Sequence, residues 1–272
     1  MPPNVTHDES DQTPVKGIEA KKLCFDIGTG LDYFPVLPYL SDWLRTIFCG
    51  DYEKFSMLLH DLSSEEMRVL LSKRETMYNV SAIFHVVKGA RVLFAAVAAA
   101  DQEFLRDLRR QNLEAKYDHM KILIKLLCLG VDVNERDVGG QTPLFWCCRQ
   151  SAHHHDVLLK MAERLIRAGA DVNAKSRTGN TPLQIAAASS NVDLVQLFLA
   201  NGADPEIRDN DGHTVYEACP PLIKDVLGKF HQKSAMAERK MSREAVGGSF
   251  RQCGVCGVGV GEKIMKRCSG RK

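Results

Sequence analysis

What most restricts this chain is a segment that repeats itself every 33 residues. Gly169-Ala170-Asp171-Val172-Asn173 leads into Arg177-Thr178-Gly179-Asn180-Thr181-Pro182-Leu183, then Ile185-Ala186-Ala187-Ala188, then Val192-Asp193-Leu194-Val195-Gln196-Leu197-Phe198-Leu199. The pattern restarts at Asn201-Gly202-Ala203-Asp204, so Gly169 to Gly202 and Thr181 to Thr214 each span 33 residues. One unit earlier, Gly130-Val131-Asp132-Val133-Asn134 leads into Gly140-Gln141-Thr142-Pro143-Leu144. Thr142 to Thr181 is 39 residues, the excess lying around Gln150–His155. Self-similarity at a fixed period of this length means stacked units, each too small to bury its own apolar face.

Each unit reads as a pair of helices. Thr142 and Thr181 suit N-caps, and Pro143 and Pro182 follow at the first helical position, where a missing N–H costs nothing. Ile185–Ala188 is a short helix of small residues that lets a neighbour approach closely. Leu194, Val195, Leu197, Phe198 and Leu199 make a second helix too apolar to stand alone. Gly130, Gly169 and Gly202 end the second helices at positions that tolerate a left-handed backbone. The Asp-x-Asn pairs and Asn210-Asp211-Gly212 then supply turn chemistry for a projecting loop.

Thr-Pro-Leu with a downstream Gly-Ala-Asp at this period resembles the ankyrin repeat family, over residues 42–228 and most strongly over 118–218. The implied fold class is all-α: an ankyrin-repeat solenoid of about five helix-pair units with short projecting loops, plus flexible termini. Leu44–Leu59 is a diverged first repeat. Residues 74–133 form the second, with Ser81-Ala82-Ile83 where Thr-Pro-Leu is expected and Met120–Leu129 as outer helix. Residues 134–172 and 173–205 are the strong repeats, and 206–228 a shortened cap that departs from the pattern at Val215. The expected layout is an N-terminal segment at 1–40, partly disordered, and a repeat domain at 41–228 with an insertion at about 92–116. A linker at 229–248 and a basic, cysteine-containing tail at 249–272 follow. Within the insertion, Phe104, Leu105, Leu108 and Leu113 are spaced for an amphipathic helix. That helix either packs on its own repeat or docks a partner.

The resemblance implies a non-enzymatic adaptor or scaffold that binds another protein through its concave face and loop tips. Carried over position by position, the recognition residues are Arg136, Val138, Lys175, Arg177, Arg208 and Asn210 at the tips. Phe145, Trp146 and Gln184 are the corresponding inner-helix residues. This basic and aromatic set calls for a partner with acidic and apolar elements. Trp146 has two readings, an anchor in the concave groove or a filler of space left by the longer loop. Cys147 and Cys148 stand where small packed residues are expected. The chain is expected to be monomeric.

Charge is uneven: 36 Lys+Arg against 34 Asp+Glu overall, but a net +8 in residues 224–272. That tail holds Cys253-Gly254-Val255-Cys256 and then Lys266-Arg267-Cys268-Ser269. It resembles the opening of a MYND zinc finger, with Arg271 where the fourth cysteine is expected. The resemblance implies Cys253, Cys256 and Cys268 as ligands of a possible Zn²⁺, to which thiolates bind at about 2.3 Å. The alternatives are a weak site completed from outside, or a basic tail with unbound thiols. The first gives a second functional reading, a zinc-dependent adaptor that recruits a proline-containing peptide.

Other chemistry is excluded. Asp26-Ile27-Gly28-Thr29-Gly30 lacks the hairpin a nucleotide phosphate loop needs, and Glu262 interrupts the Gly-Lys of a P-loop. His153, His154 and His155 are consecutive, about 100° apart on a helix, and cannot all face one ion. No nucleophile elbow or Cys–His signature occurs. The tail's Arg251, Lys263, Lys266, Arg267, Arg271 and Lys272 offer unspecific phosphate contacts with few aromatics to stack bases, so no specific nucleic acid is expected. The most apolar run, Val92–Ala100, is nine residues where a membrane span needs about 20. With nine cysteines and no signal-peptide pattern, the expected location is intracellular, cytoplasmic and/or nuclear.

Overall fold

In the computed structural model the described residues are 14, 40–72, 80–98, 106, 108, 110, 115–148, 155–232, 251–252 and 259–260. The chain divides into two units, Met1–Lys224 and Asp225–Lys272. In chain order the helices are α1 (Asp42–Cys49), α2 (Tyr52–His60), α3 (Ser64–Ser72), α4 (Ala82–Ala98) and α5 (His119–Cys128). They continue with α6 (Pro143–Cys148), α7 (His155–Arg167), α8 (Pro182–Ala188), α9 (Val192–Ala200) and α10 (Val215–Ala218). A last helix covers 221–232. In the second unit, β1 (Arg251–Gln252) and β2 (Gly259–Val260) form a two-residue antiparallel ladder with Arg251 opposite Val260.

The helices alternate between an inner series, α1, α4, α6, α8 and α10, and outer partners. Successive inner helices pack on one another, α1 on α4, α4 on α6, α6 on α8 and α8 on α10. Each start has a local cause. Ser41 Oγ accepts from Leu44 N–H at the head of α1, and Asp51 Oδ1 from Lys54 N–H at the head of α2. Thr181 and Gln184 close a reciprocal capping box on α8, with Pro182 as its first residue. The Ser81-Ala82-Ile83 triplet works as Thr-Pro-Leu does elsewhere, because α4 begins at Ala82 and Ile83 is fully buried.

Two features differ from the sequence reading. Helix α3 follows α2 where no element was expected. Helix α4 runs seventeen residues, on through Val92–Ala98, so part of the extra length near 92–116 is continued inner helix. Leu93 and Ala96 on that extension are buried, as is Leu108, while Phe104, Leu105 and Leu113 lie outside the described residues.

The first repeat is held to the second through the end of α1. Its last carbonyls have no acceptor role within the helix, and the strand of chain entering α5 takes them in turn. Lys116 N–H donates to Cys49 O at 3.0 Å and Asp118 N–H to Gly50 O at 2.9 Å. His119 Nε2 donates to Phe48 O at 2.9 Å. Gly50 has φ +70°, and a Cβ there would lie 2.6 Å from the imidazole, so the ring fits only over glycine. On the opposite side, a Cβ on Gly89 of α4 would strike the Phe48 carbonyl. Both glycines therefore permit close approach to the same turn.

Burial pushes the His119 pKa down to about 4 from an ordinary 6.5, against smaller opposing effects of the Phe48 carbonyl and Asp118. Above pH 6.5 folded and unfolded chains are both neutral at this site. Between 6.5 and 4 only the unfolded chain takes up the proton, so stability falls as pH falls, and the slope ends below about 4. The loss attributable to His119 is about 2–3 kcal/mol. Urea unfolding from pH 7.5 to 4.5 is expected to show this fall in the natural chain and a shallower one in His119→Gln; parallel curves would exclude His119 as its source.

Candidate protein-interaction site

The projecting loops are built from a short register of side chains repeated in three units. Each opens with an aspartate that folds the backbone. Asp132 Oδ1 accepts from Asn134 N–H, Asp171 Oδ1 from Asn173 N–H and Asp204 Oδ1 from Glu206 N–H, all at 2.8–2.9 Å. The asparagine two residues on reaches the next unit with both ends of its amide. Asn134 donates to Gly169 O and accepts from Asp171 N–H; Asn173 donates to Gly202 O and accepts from Asp204 N–H.

The cations follow the same period. Arg136 donates to Gly140 O in its own loop and to Lys175 O in the next. Lys175 Nζ donates to Arg208 O at 2.8 Å. Arg208, in the last loop of this kind among the described residues, donates back to Gly212 O and lies 3.8 Å from the Glu217 carboxylate. All three side chains are exposed, and their nitrogens meet backbone carbonyls, which orient the charge without cancelling it. Among the described residues no carboxylate forms an ion pair with Arg136 or Lys175.

The remaining tip positions lie deeper. Val138 and Arg177 are buried and Asn210 is half-buried. Arg177 donates through its backbone to Gly139 O and through Nη1 to Val138 O. Asn210 donates through its backbone to Thr178 O and through Nδ2 to Arg177 O at 2.7 Å. These residues join loop to loop instead of facing outward, which corrects the expectation for Val138 and Arg177.

The inner-helix expectation is corrected in the same way. Phe145 and Trp146 are 1% and 2% exposed, and Gln184 is 9%. Trp146 meets Phe84 of α4 edge to face at 5.5 Å, and its Nε1 donates to Asp137 Oδ2 at 2.9 Å. Gln184 accepts from Thr181 N–H and donates to Ile207 O and His213 O of the following unit. Each side chain is taken up by its own solenoid, so none is available as a groove anchor. Asp137 went unnoticed in the sequence reading. Its Oδ1 accepts from Gly139 and Gln141 N–H at 2.8 Å while Oδ2 holds the indole, so one buried carboxylate shapes the loop and positions α6. Asp209, 72 residues on, accepts from Asp211 and His213 N–H in the same manner, which is the periodic signal that could have found it.

Lys88 of α4 is buried with its Nζ 5.4 Å from the Trp146 ring centre. Burial, reinforced by Arg91, holds its pKa well below the ordinary lysine range. Cys147 and Cys148 are buried; burial pushes the Cys147 thiol up to about 12, and Cys148 Sγ donates to Leu144 O. Packed thiols of this kind are poor nucleophiles. Cys253, Cys256 and Cys268 lie outside the described residues. Among the described residues no three His, Cys, Asp or Glu side chains are grouped to hold a metal ion, and no helix is long and apolar enough to cross a membrane.

Stacked helix pairs, Thr-Pro or Ser-Ala helix starts and loops stitched by Asp-x-Asn define an all-α ankyrin-repeat solenoid. Comparison with known proteins agrees: residues 112–209 match the family model described as ankyrin repeats, three copies. ZDHHC13 of Danio rerio, whose name describes a palmitoyltransferase, is 31% identical over 129 residues, which is 47% of this chain and 19% of that protein. Ankyrin repeat and SOCS box protein 6 of Homo sapiens is 33% identical over 117 residues, 40% of this chain and 27% of that one. The mitochondrial disaggregase of Homo sapiens is 48% identical over 59 residues, 22% of this chain and 8% of its own. The chain thus spans a third or less of each of these relatives, and the likeness shows shared repeats. Repeats of this family generally mediate protein–protein interaction.

Trp146→Phe keeps the ring and removes the charge-assisted bond to Asp137. It is expected to lower stability by about 1–3 kcal/mol in chemical denaturation, and an unchanged unfolding midpoint would show that the bond contributes nothing.

Proposed function

We propose that this chain is a non-enzymatic adaptor whose row of loop tips binds an acidic segment of a protein partner. The observation that carries this reading is the series Arg136, Lys175 and Arg208. These are exposed cations, one per unit, braced by backbone carbonyls of their own or the next loop. A guanidinium or ammonium already held in place loses less rotamer freedom when a carboxylate arrives, so more of the interaction appears as affinity. Phe145, Trp146 and Gln184 are buried, so this reading rests on the tips and takes the partner's acidic groups as its defining chemistry.

Charge reversal of Arg136, Lys175 and Arg208 together is expected to weaken capture of an acidic partner peptide at least about tenfold, with the loss growing at low salt. Isothermal titration at two ionic strengths measures it. Native affinity in the triple variant, its melting curve unchanged, would remove the tips from recognition.

A second reading concerns the tail, and one observation favours it. β1 pairs antiparallel with β2, and in sequence Cys253 and Cys256 stand between those two strands. We infer a zinc-binding knuckle there, closed by Cys268 and one outside ligand, as a site for a proline-containing peptide. One zinc per chain by elemental analysis, lost in Cys253→Ser with Cys256→Ser, is the expected result; purified chain that takes up no zinc when it is supplied would end this reading.

A further inference from the structure

Gly130, Gly169 and Gly202 follow the outer helices α5, α7 and α9 at equivalent places, and the residues before them are Leu129, Ala168 and Asn201. Only the last of these makes an Asn-Gly pair, and no other asparagine in the chain precedes a glycine. The pair is chemically distinctive. Glycine has no side chain to hinder its nitrogen, so that nitrogen can attack the carbonyl of the asparagine amide before it. Asn201 and Gly202 are both exposed, and a Cβ at Gly202 would meet nothing within 4 Å. Base and water therefore reach the reacting atoms.

The fold holds these atoms apart. Asn201 has φ −106° and ψ 20°, which turns the Gly202 nitrogen away from its side chain. Its Nδ2 donates to Leu197 O at 2.7 Å, and Gly202 N–H donates to Leu199 O at 3.3 Å. Both acceptors belong to the last turn of α9, where a helix frays first. The following residues are held from outside the helix. Gly202 O accepts from Asn173 Nδ2 at 3.0 Å, and Asp204 N–H donates to Asn173 Oδ1 at 2.9 Å. Rotating Asn201 into reach of the Gly202 nitrogen moves this carbonyl, so the reaction waits on opening of the Asn173 bonds.

We propose that Asn201 is a deamidation site whose rate is set by the joint that Asn173 makes between the loops beginning at Asp171 and Asp204. Base removes the Gly202 amide proton and the nitrogen attacks Asn201 Cγ. The bond to Nδ2 breaks, and ammonia leaves with a proton. Water then opens the cyclic imide at either carbonyl, giving aspartate or isoaspartate. Both products put a carboxylate at the C-terminal end of α9, where the helix carbonyls already concentrate negative charge. Isoaspartate also carries the main chain through Cβ, adding one atom between α9 and the carbonyl that Asn173 holds. Conversion loosens the loop beginning at Asp204, so the attachment of the last unit ages with the chain.

The test incubates the full chain beside a synthetic peptide of residues 192–208 at neutral pH. Conversion is read by mass spectrometry after digestion, with aspartate and isoaspartate separated by chromatography. Asn201 is expected to be the first asparagine of the chain converted, at a rate at least about tenfold below that of the peptide. Asn173→Ala, with its far-ultraviolet circular dichroism unchanged, is expected to bring the rate back toward the peptide's. Urea below the unfolding transition tests the same point in the natural chain, where conversion and hydrogen exchange at Gly202 and Asp204 are expected to rise together. The converted chain is expected to exchange its amides at Ala203, Asp204 and Glu206 faster than the unconverted one. Conversion of the folded chain at the peptide's rate would show that the joint does not control it. Asn201 intact in Asn173→Ala and in urea, once the peptide has fully converted, would remove the site. Equal exchange before and after conversion would separate the modification from the loop, and each of these three results overturns the proposal.

Discussion

Every unit of this solenoid ends in backbone groups that its own helices cannot satisfy, and the next unit satisfies them. The exposed ends of helices and the turns of loops carry N–H and C=O groups that cost free energy when buried without partners. Here the bonds that meet this cost run between units. His119 reaches Phe48, Asn134 reaches Gly169 and Asp171, Asn173 reaches Gly202 and Asp204, and Gln184 reaches Ile207 and His213. The side chains that do this are polar and short, so they also fix the spacing of the units. The apolar contacts between inner helices supply most of the driving force, but the polar stitches select one register of stacking.

This division of labour explains why the loops are rigid enough to be a surface. A loop fixed only by its own turn would order on binding and lose affinity in doing so. The tip loops are instead ordered from both sides, by aspartate within the loop and by asparagine, arginine or lysine across to the next. The last loop shows the limit of the device. Among the described residues no such loop follows Arg208, which turns back on Gly212, and Glu206 stands where the two earlier loops have asparagine.

The repeat architecture was legible because period, cap and turn chemistry agree: Thr181-Pro182 starts a helix and Gly169 and Gly202 end helices, as their residue types require. Orientation within the units was not. Phe145, Trp146 and Gln184 sit at positions the family resemblance assigns to the groove. Whether such a side chain turns inward depends on a partner distant in sequence, Phe84 for the indole and Ile207 for the amide. Helix α3 was missed because Glu65, Glu66 and Arg68 break up a short apolar pattern that has no buried face to reveal it. Tyr117 and Ser190 adopt φ of +62° and +58° just before outer helices, a left-handed turn that neither residue type announces.

The placement of Trp146 has a consequence for how recognition is distributed. In a solenoid whose inner helices present small or polar residues, the concave face and the tips form one surface. A large indole at this position, turned inward and tied to Asp137, links the floor of the third unit to the backbone of its own loop. The buried Asp137 carboxylate therefore helps anchor the loop that carries Arg136 to the core. Asp137 is one link between this loop and the packing of α4 on α6, because Oδ1 holds the loop and Oδ2 holds the ring that meets Phe84. Among the three cationic loops this one is the most deeply rooted. Its counterpart at Lys175 is shaped by Ser176 and Thr178 hydroxyls, and no indole stands beneath it. The loop that carries Arg136 is thus tied to the joint between the second and third units, where the indole of α6 meets Phe84 of the long helix α4.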